Sequence, residues 1–546
     1  MTTINLIFLR RFLFGRNPRA QGLRIGPECA KIVPPSMNEK GEFIMRKAGI
    51  LMPISSLPSP WGIGTLGAEA RKFVDFLSAG GQSCWQVLPL GPTSYGDSPY
   101  QSFSSFAGNP YFIDLDLLAE DGLLERSEFE NLNWGENPEY VDYGRMYEQR
   151  YPVLRRACGR LLAQNRPGFA AFCQEQKDWL EDYALFMALK SKYGGVSWLE
   201  WPEDVRLRRP QALEDARKEL REEVNFWRGV QYLFFSQWWD LKAYANSRGV
   251  AIIGDLPIYV ALDSAGVWAN PSQFQLDESG RPTGVAGCPP DGFTADGQLW
   301  GNPLFNWERM KEDSYSWWLK RIAFQFKLYD TLRIDHFRGF DEYYAIPYGD
   351  KTARNGAWKP GPGIAFFKAV NRALGKKDII AEDLGFLTPS VRKLLKNSGY
   401  PGMKVLEFAF DSRDGESDYL PHRYPAHCVV YTGTHDNDTI QGWMASAPKK
   451  DVSFAKAYLR LSKREGYHWG MMRAAWASAA ELAVMQFQDL LGLGSEARMN
   501  TPSTLGNNWK WRTLPGTFDE KLARRLYRET RVYQRLPKAK RGRNAK

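Results

Sequence analysis

Thr331-Leu-Arg-Ile-Asp-His-Phe-Arg-Gly339 is the stretch that decides how this chain folds. Leu332 and Ile334 alternate with Arg333 and Asp335, the pattern of a short strand running into a polar loop. Period two puts Arg333 and Asp335 on one face. A guanidinium beside a carboxylate holds that carboxylate ionised, which suits a nucleophile better than a proton donor. Alone, such a pair is an ordinary ion pair at a strand end. Its weight comes from repetition, because acid-tipped strand ends recur in Ile379-Ile-Ala-Glu-Asp-Leu-Gly385 and near Thr432-Gly-Thr-His-Asp-Asn-Asp438.

Outward from that strand, apolar runs of strand length fall at 48–57, 84–90, 250–260, 331–335, 378–382, 403–408, 428–432 and 482–487. Helical patterns fill the gaps. One covers 68–79 and ends at Gly80-Gly81. Another, 225–246, aligns Val230, Phe234, Trp238, Leu241 and Ala245 before Gly249. A third is punctuated by Thr388 as N-cap, Pro389 at the first helical position and Gly399 as stop. Eight such units predict an α/β fold, a (β/α)8 TIM barrel spanning 48–535. The strand rhythm lapses over about 115–223, where charged helical patterns such as 178–192 and 212–223 predict a large helical insertion after the second strand. A long loop insertion, about 263–306, follows the third strand.

In this fold, chemistry sits on the loops after the strands, which is where Asp335, Glu382 and Asp436 lie. Retaining glycosyl transfer needs two carboxyl groups about 5–5.5 Å apart, one attacking and one exchanging a proton. Ile379, Ile380 and Ala381 precede Glu382 and predict a raised pKa, the property of an acid/base. Asp436 beside His435 suits hydrogen bonding to sugar hydroxyls and stabilisation of an oxocarbenium-like transition state.

Composition narrows the alternatives. The formal charge is +10, but residues 1–48 hold a net +6 and 536–546 five further positives, leaving 49–535 at −1. That is not the basic stripe of a nucleic-acid groove. No apolar run approaches the roughly 18–20 residues of a membrane span. Six scattered cysteines without C-x-x-C predict free thiols in a reducing compartment. Five histidines with no H-x-x-x-H pair argue against a metal site, and no glycine-rich phosphate loop opens a helix. No metal or cofactor is expected. The 20 tryptophans serve a core, and also offer faces on which sugar rings stack.

The motif set resembles that of the amylomaltases, the 4-alpha-glucanotransferases or disproportionating enzymes related to the α-amylases. Besides the three acidic motifs, the matches include Ser55-Ser-Leu-Pro-Ser-Pro-Trp-Gly-Ile-Gly64, Gly96-Asp-Ser-Pro-Tyr-Gln101, Gly254-Asp-Leu-Pro-Ile-Tyr-Val260, Gly297-Gln-Leu-Trp-Gly-Asn-Pro303 and Arg498-Met-Asn-Thr-Pro502. The resemblance implies transfer of α-1,4-glucan segments to the 4-hydroxyl of another glucan or to glucose. It implies Asp335 as nucleophile, Glu382 as acid/base and Asp436 as transition-state stabiliser. Asp255, Arg333 and His435 would hold the sugar at the bond being broken, and Ser98 and Tyr100 would line the acceptor side. Tyr95 would belong to a second glucan surface, and Phe293 and Trp300 to a loop arching over the cleft. Gly292 departs from the family pattern, where an aromatic often precedes the Phe. The expected partners are α-1,4-glucans, maltooligosaccharides and glucose, not nucleic acid or membrane. An α-1,4-glucan hydrolase of amylase or maltodextrinase type is the nearest alternative, and a non-catalytic glucan-binding protein the distant one.

Residues 1–47 lie outside the family pattern. The first 27 hold five Arg and no acid, with Arg10-Arg11 after the apolar run rather than before it. They read as a disordered extension or an upstream mis-start, with a plastid transit peptide as the lesser alternative to a cytoplasmic location. Residues 536–546 read as a basic tail.

Overall fold

Eight parallel strands build the wall: β1 (Lys47–Leu51), β2 (Cys84–Gln86), β3 (Ala251–Leu256), β4 (Thr331–Ile334), β5 (Ile379–Ala381), β6 (Gly402–Val405), β7 (Cys428–Tyr431) and β8 (Leu482–Gln486). The computed structural model describes residues 46–537 except 95, 291–294, 386, 412 and 414–416. The sheet runs β6-β7-β8-β1-β2-β3-β4-β5, chain order all the way round. Between its two ends the Ala381 N–H donates to the Pro401 carbonyl at 3.0 Å and draws the ring together. This is the expected (β/α)8 barrel.

Alternation divides each strand between two apolar layers. Leu51, Cys84, Ile253, Ile380, Met403, Val429 and Val484 fill the interior. Their neighbours Ile50, Trp85, Ile252, Ile379, Val430 and Ala483 pack outward against the helices. Register then sets the mouth. Asp255 pairs with Arg333 and Ile334 with Ala381, so Asp255, Arg333, Asp335 and Glu382 share the inward parity of Ile253 and Ile380.

Most strands are shorter than the apolar runs suggest, and proline is one reason. Pro53, Pro89 and Pro257 offer no N–H to a ladder, and the first three strands stop short of them, at Leu51, Gln86 and Leu256. The helix signals translate directly. Ala68–Ala79 is helical, and Pro389–Ser398 starts with Thr388 accepting from the Val391 N–H and stops at Gly399 in the left-handed region.

Between β2 and β3 lie the helices Tyr143–Ala163, Pro167–Glu175, Lys177–Lys192, Pro210–Glu219 and Arg221–Ser247. The last is 27 residues long and also braces the loop after β2. Gln231 exchanges two hydrogen bonds with the Gly108 backbone, and Gln237 two with that of Asp114.

The region after β3 differs from the expected loop. Gly284–Cys288 and Gln298–Pro303 are strands of a second, antiparallel sheet, completed by Glu342–Pro347 and Ala357–Pro360. Those two partners follow β4 in the chain, so the sheet depends on pairing between distant segments that local pattern does not reveal. Among the described residues no helix is long and apolar enough to cross a membrane, and Cys84, Cys158, Cys173 and Cys428 are free thiols.

Gly254, beside Asp255 in β3, has no room for a side chain. An added Cβ would lie 2.0 Å from the Tyr329 ring, which is itself buried. Gly254→Ala is expected to destabilise the fold by about 1–3 kcal/mol, read as a lower urea midpoint. An unchanged midpoint would show that β3 yields more easily than its packing implies.

Candidate active site

Asp335 and Glu382 each stand one residue beyond a strand, on the adjacent strands β4 and β5. Their backbones are locked to the wall. The Asp335 N–H donates to the Leu256 carbonyl at 3.0 Å, and the Glu382 N–H to that of Ile334 at 3.0 Å. The Phe337 N–H returns to the Glu382 carbonyl at 3.0 Å. The two acids are thereby neighbours across one register step.

The electrostatic centre is Arg333. Its Nη1 lies 2.7 Å from both carboxylate oxygens of Asp255 and 3.1 Å from Oδ1 of Asp335. The predicted Arg333–Asp335 contact is therefore present, but Asp255, one strand over, is the nearer partner. The side chain of Arg333 is 4% exposed and that of Asp255 0%, whereas Asp335 keeps 29%. Burial disfavours the Arg333 charge, yet Asp255 and Asp335 outweigh it and hold the guanidinium protonated.

Glu382 receives two backbone donors, His336 N–H at 2.7 Å and Leu384 N–H at 2.8 Å. Burial first and the Asp335 charge second raise its pKa to about 7, against the opposing pull of Arg333 and those N–H groups. The apolar setting read from 379–381 is thus one of two causes. A carboxyl whose surroundings raise its proton affinity toward neutral pH is what acid/base chemistry requires.

His336 has positive φ (48°), a geometry that turns its N–H toward Glu382. Its ring is half-buried and its pKa falls to about 4, because desolvation outweighs the attraction of Asp335. The Trp300 ring meets it edge-on, centroids 4.9 Å apart. Trp300 lies in the second sheet, so that sheet reaches the mouth of the barrel.

A third group surrounds Asp436, five positions beyond the end of β7. The Tyr100 hydroxyl donates to Asp255 at 2.9 Å and lies 3.1 Å from His435 Nδ1, the two rings stacked at 4.8 Å. His435 Nε2 is 3.4 Å from Asp436 Oδ2. With the hydroxyl proton committed to Asp255, Nδ1 must donate to the Tyr100 oxygen, and a proton on Nε2 then faces Asp436. The imidazolium fits this arrangement, and His435 is shifted up despite its burial. Asp436 moves the other way. Burial opposes its ionisation, but His435 and the Asn500 amide, donating at 2.6 Å, hold the carboxyl well below the usual range.

The expected residues are thus partly assembled. Asp255, Arg333, Asp335, Glu382, Tyr100, His435 and Asp436 form one connected network, and Trp300 joins it through His336. Ser98 acts locally, its Oγ accepting from the Tyr100 N–H at 3.3 Å. Tyr95 and Phe293 lie outside the described residues. Sequence reasoning missed the parts played by His336, Asn500 and Trp509, whose ring lies 5.8 Å from Tyr100 and 5.9 Å from His435. The Asn500 motif was visible, but no spacing rule links it to Asp436. No group of His, Cys, Asp or Glu among the described residues is arranged to hold a metal ion.

A nearly closed eight-stranded barrel with carboxyls beyond its strand ends is the architecture of the α/β-barrel enzymes, and the comparisons make that specific. The family profile described as 4-alpha-glucanotransferase matches residues 52–516. The chain is 50% identical over 486 residues to the 4-alpha-glucanotransferase of Clostridium butyricum, covering 89% of this chain and all of that one. It is 42% identical over 504 residues to the chloroplastic/amyloplastic 4-alpha-glucanotransferase of Solanum tuberosum, covering 90% and 87%. An amylomaltase structure from Streptococcus agalactiae, in complex with acarbose, matches with a TM-score of 0.88 at 42% identity, over 90% of this chain and all of that one. The chain belongs to the 4-alpha-glucanotransferase family and is an enzyme of that activity.

Removing one member of the buried pair exposes the cost of the other. Arg333→Met strands Asp255 without its cation and is expected to lower unfolding free energy by roughly 3–5 kcal/mol, measured by urea titration. A loss near zero would mean that Asp255 finds another partner.

Proposed function

We propose that the enzyme moves a segment of an α-1,4-glucan onto the 4-hydroxyl of a second glucan, or of glucose, by a retaining double displacement. Asp335 attacks the anomeric carbon, and the bond to the leaving 4-oxygen breaks as Glu382 gives that oxygen its proton. A β-linked glycosyl ester on Asp335 results. The acceptor 4-hydroxyl then attacks the same carbon, Glu382 takes its proton, and the carboxylate of Asp335 departs, restoring an α bond. Asp436 and the protonated His435 bind the ring hydroxyls as positive charge develops.

The observation behind this assignment is the contrast between the two neighbouring acids. Glu382 is poised near neutral pH, while Asp335 sits against a cation whose other partner is fixed. One proton shared across a turnover needs a group that holds and releases it at working pH. Asp255 and Tyr100 serve by bracing Arg333 and His435, so their contribution comes through those groups. Trp300 supports transfer over hydrolysis by closing the mouth above His336 against water. Ser98 lines the acceptor side. Free thiols support a cytoplasmic location, and the body of the enzyme comprises residues 48–535.

With maltotriose as sole substrate, glucose and longer maltodextrins should accumulate without a rise in total reducing ends; a steady rise would indicate hydrolysis instead. Asp335→Asn should abolish turnover, and Glu382→Gln should lower it by about 10²–10⁴-fold, each with the fold intact by circular dichroism. Near-normal turnover in either variant contradicts its assigned role. Protonated Glu382 is the form that starts the reaction, so kcat/KM should fall as pH rises through about 7, with a limiting slope of about tenfold per pH unit. A profile flat to pH 9 would place the proton donor elsewhere.

A further inference from the structure

Asp436 is held differently from its two partners. Asp335 and Glu382 follow their strands directly, but Asp436 stands on a loop, and its side chain is 48% exposed. No strand ladder fixes it. Within its own loop it meets His435 Nε2 at 3.4 Å and its N–H donates to Thr434 Oγ1 at 3.3 Å, and the loop after β8 reaches it as well. Arg498 Nη2 donates to the backbone carbonyl of Asp436 at 2.6 Å, and Arg498 Nε donates to the carbonyl of Asn500 at 2.7 Å. Asn500 Nδ2 in turn donates to Asp436 Oδ1 at 2.6 Å. One guanidinium therefore grips the backbone beneath the carboxylate and the backbone of the residue that orients that carboxylate.

We propose that Arg498 is a positioning residue for glucan transfer. It acts through Asp436 without touching the sugar, and the inference rests on reading Asp436 as the transition-state stabiliser. The planar fork is needed because the two donated bonds leave different nitrogens in fixed directions, which a lysine ammonium cannot reproduce. The gain is in geometry, since a misplacement of about 1 Å at a reacting centre costs on the order of 10²-fold.

The rest of the β8 loop does not depend on Arg498. The Glu496 carbonyl accepts from the Tyr140 hydroxyl at 2.9 Å, that of Ala497 from Gln488 Nε2 at 3.0 Å, and that of Met499 from the Trp509 N–H at 2.7 Å. Removing the guanidinium should therefore free Asp436 while leaving this loop in place.

The test is a double-mutant cycle on maltotriose disproportionation with Arg498→Ala, Arg498→Lys, Asp436→Asn and the doubles. Each Arg498 variant should lose about 10–100-fold in kcat, with KM changed less than about threefold and an unchanged melting temperature. In the Asp436→Asn background either substitution should cost less than about twofold more, because nothing remains to be positioned. Wild-type kcat in both Arg498 variants overturns the proposal, and so does a loss that multiplies with that of Asp436→Asn. Should Arg498→Ala fail to fold, Arg498→Lys alone completes the cycle. Near-normal kcat in Asp436→Asn would instead sink the reading of Asp436 itself, a result distinct from either failure of Arg498.

Discussion

The buried pair of Arg333 and Asp255 is the constraint on which the mouth of this barrel depends. Putting two charges in a protein interior costs several kcal/mol per ion unless each is saturated. Here the saturation is nearly complete: both Asp255 oxygens face the guanidinium, and one also accepts from Tyr100. The arrangement leaves a fixed cation 3.1 Å from Asp335. Asp335 in turn makes ionisation of Glu382 harder, and Tyr100 passes order from Asp255 to His435 and Asp436. Four acids on the loops and strand ends of one mouth thus have distinct environments, set by a single guanidinium and by what surrounds each carboxyl.

The site also divides between rigid and adjustable parts. Asp335 and Glu382 derive their placement from strand register, so any shift of β4 against β5 would move both. Asp436, His435 and Tyr100 come from loops that hold one another through side-chain hydrogen bonds, aromatic contacts and the clamp from the β8 loop. In the proposed mechanism sugar rings enter and leave past these groups. Loops tied at a few points permit that passage better than the wall itself could.

The barrel was legible because its determinants are local. Alternating apolar residues, glycine stops, the Thr388–Pro389 start and acidic tips each speak for their own strand or helix. The same locality hid the rest. Asp255 lies 78 residues upstream of Arg333, and only the β3–β4 register reveals it as the nearer partner. The second sheet joins segments on either side of β4, so its strands read as loop, and the approach of Trp300 to His336 follows from that pairing. The hydrogen bonds from Arg498 and Asn500 to Asp436 run between loops of irregular backbone, where no periodicity exists to be read. For Glu382 the chain alone supplied the direction of the pKa shift through its apolar neighbours, while the contribution of Asp335 needed the strand order.

The central claim, that Asp335 attacks while Glu382 manages the proton, is tested most directly by trapping. In Glu382→Gln, an α-maltotriosyl fluoride donor needs no proton to lose its leaving group, but the second step lacks its base. Peptide mass spectrometry of the quenched enzyme should then find one maltotriosyl group on the peptide containing Asp335, and none when Asp335→Asn is added. A sugar attached to another residue, or equal labelling with and without the Asp335 carboxylate, would contradict the account.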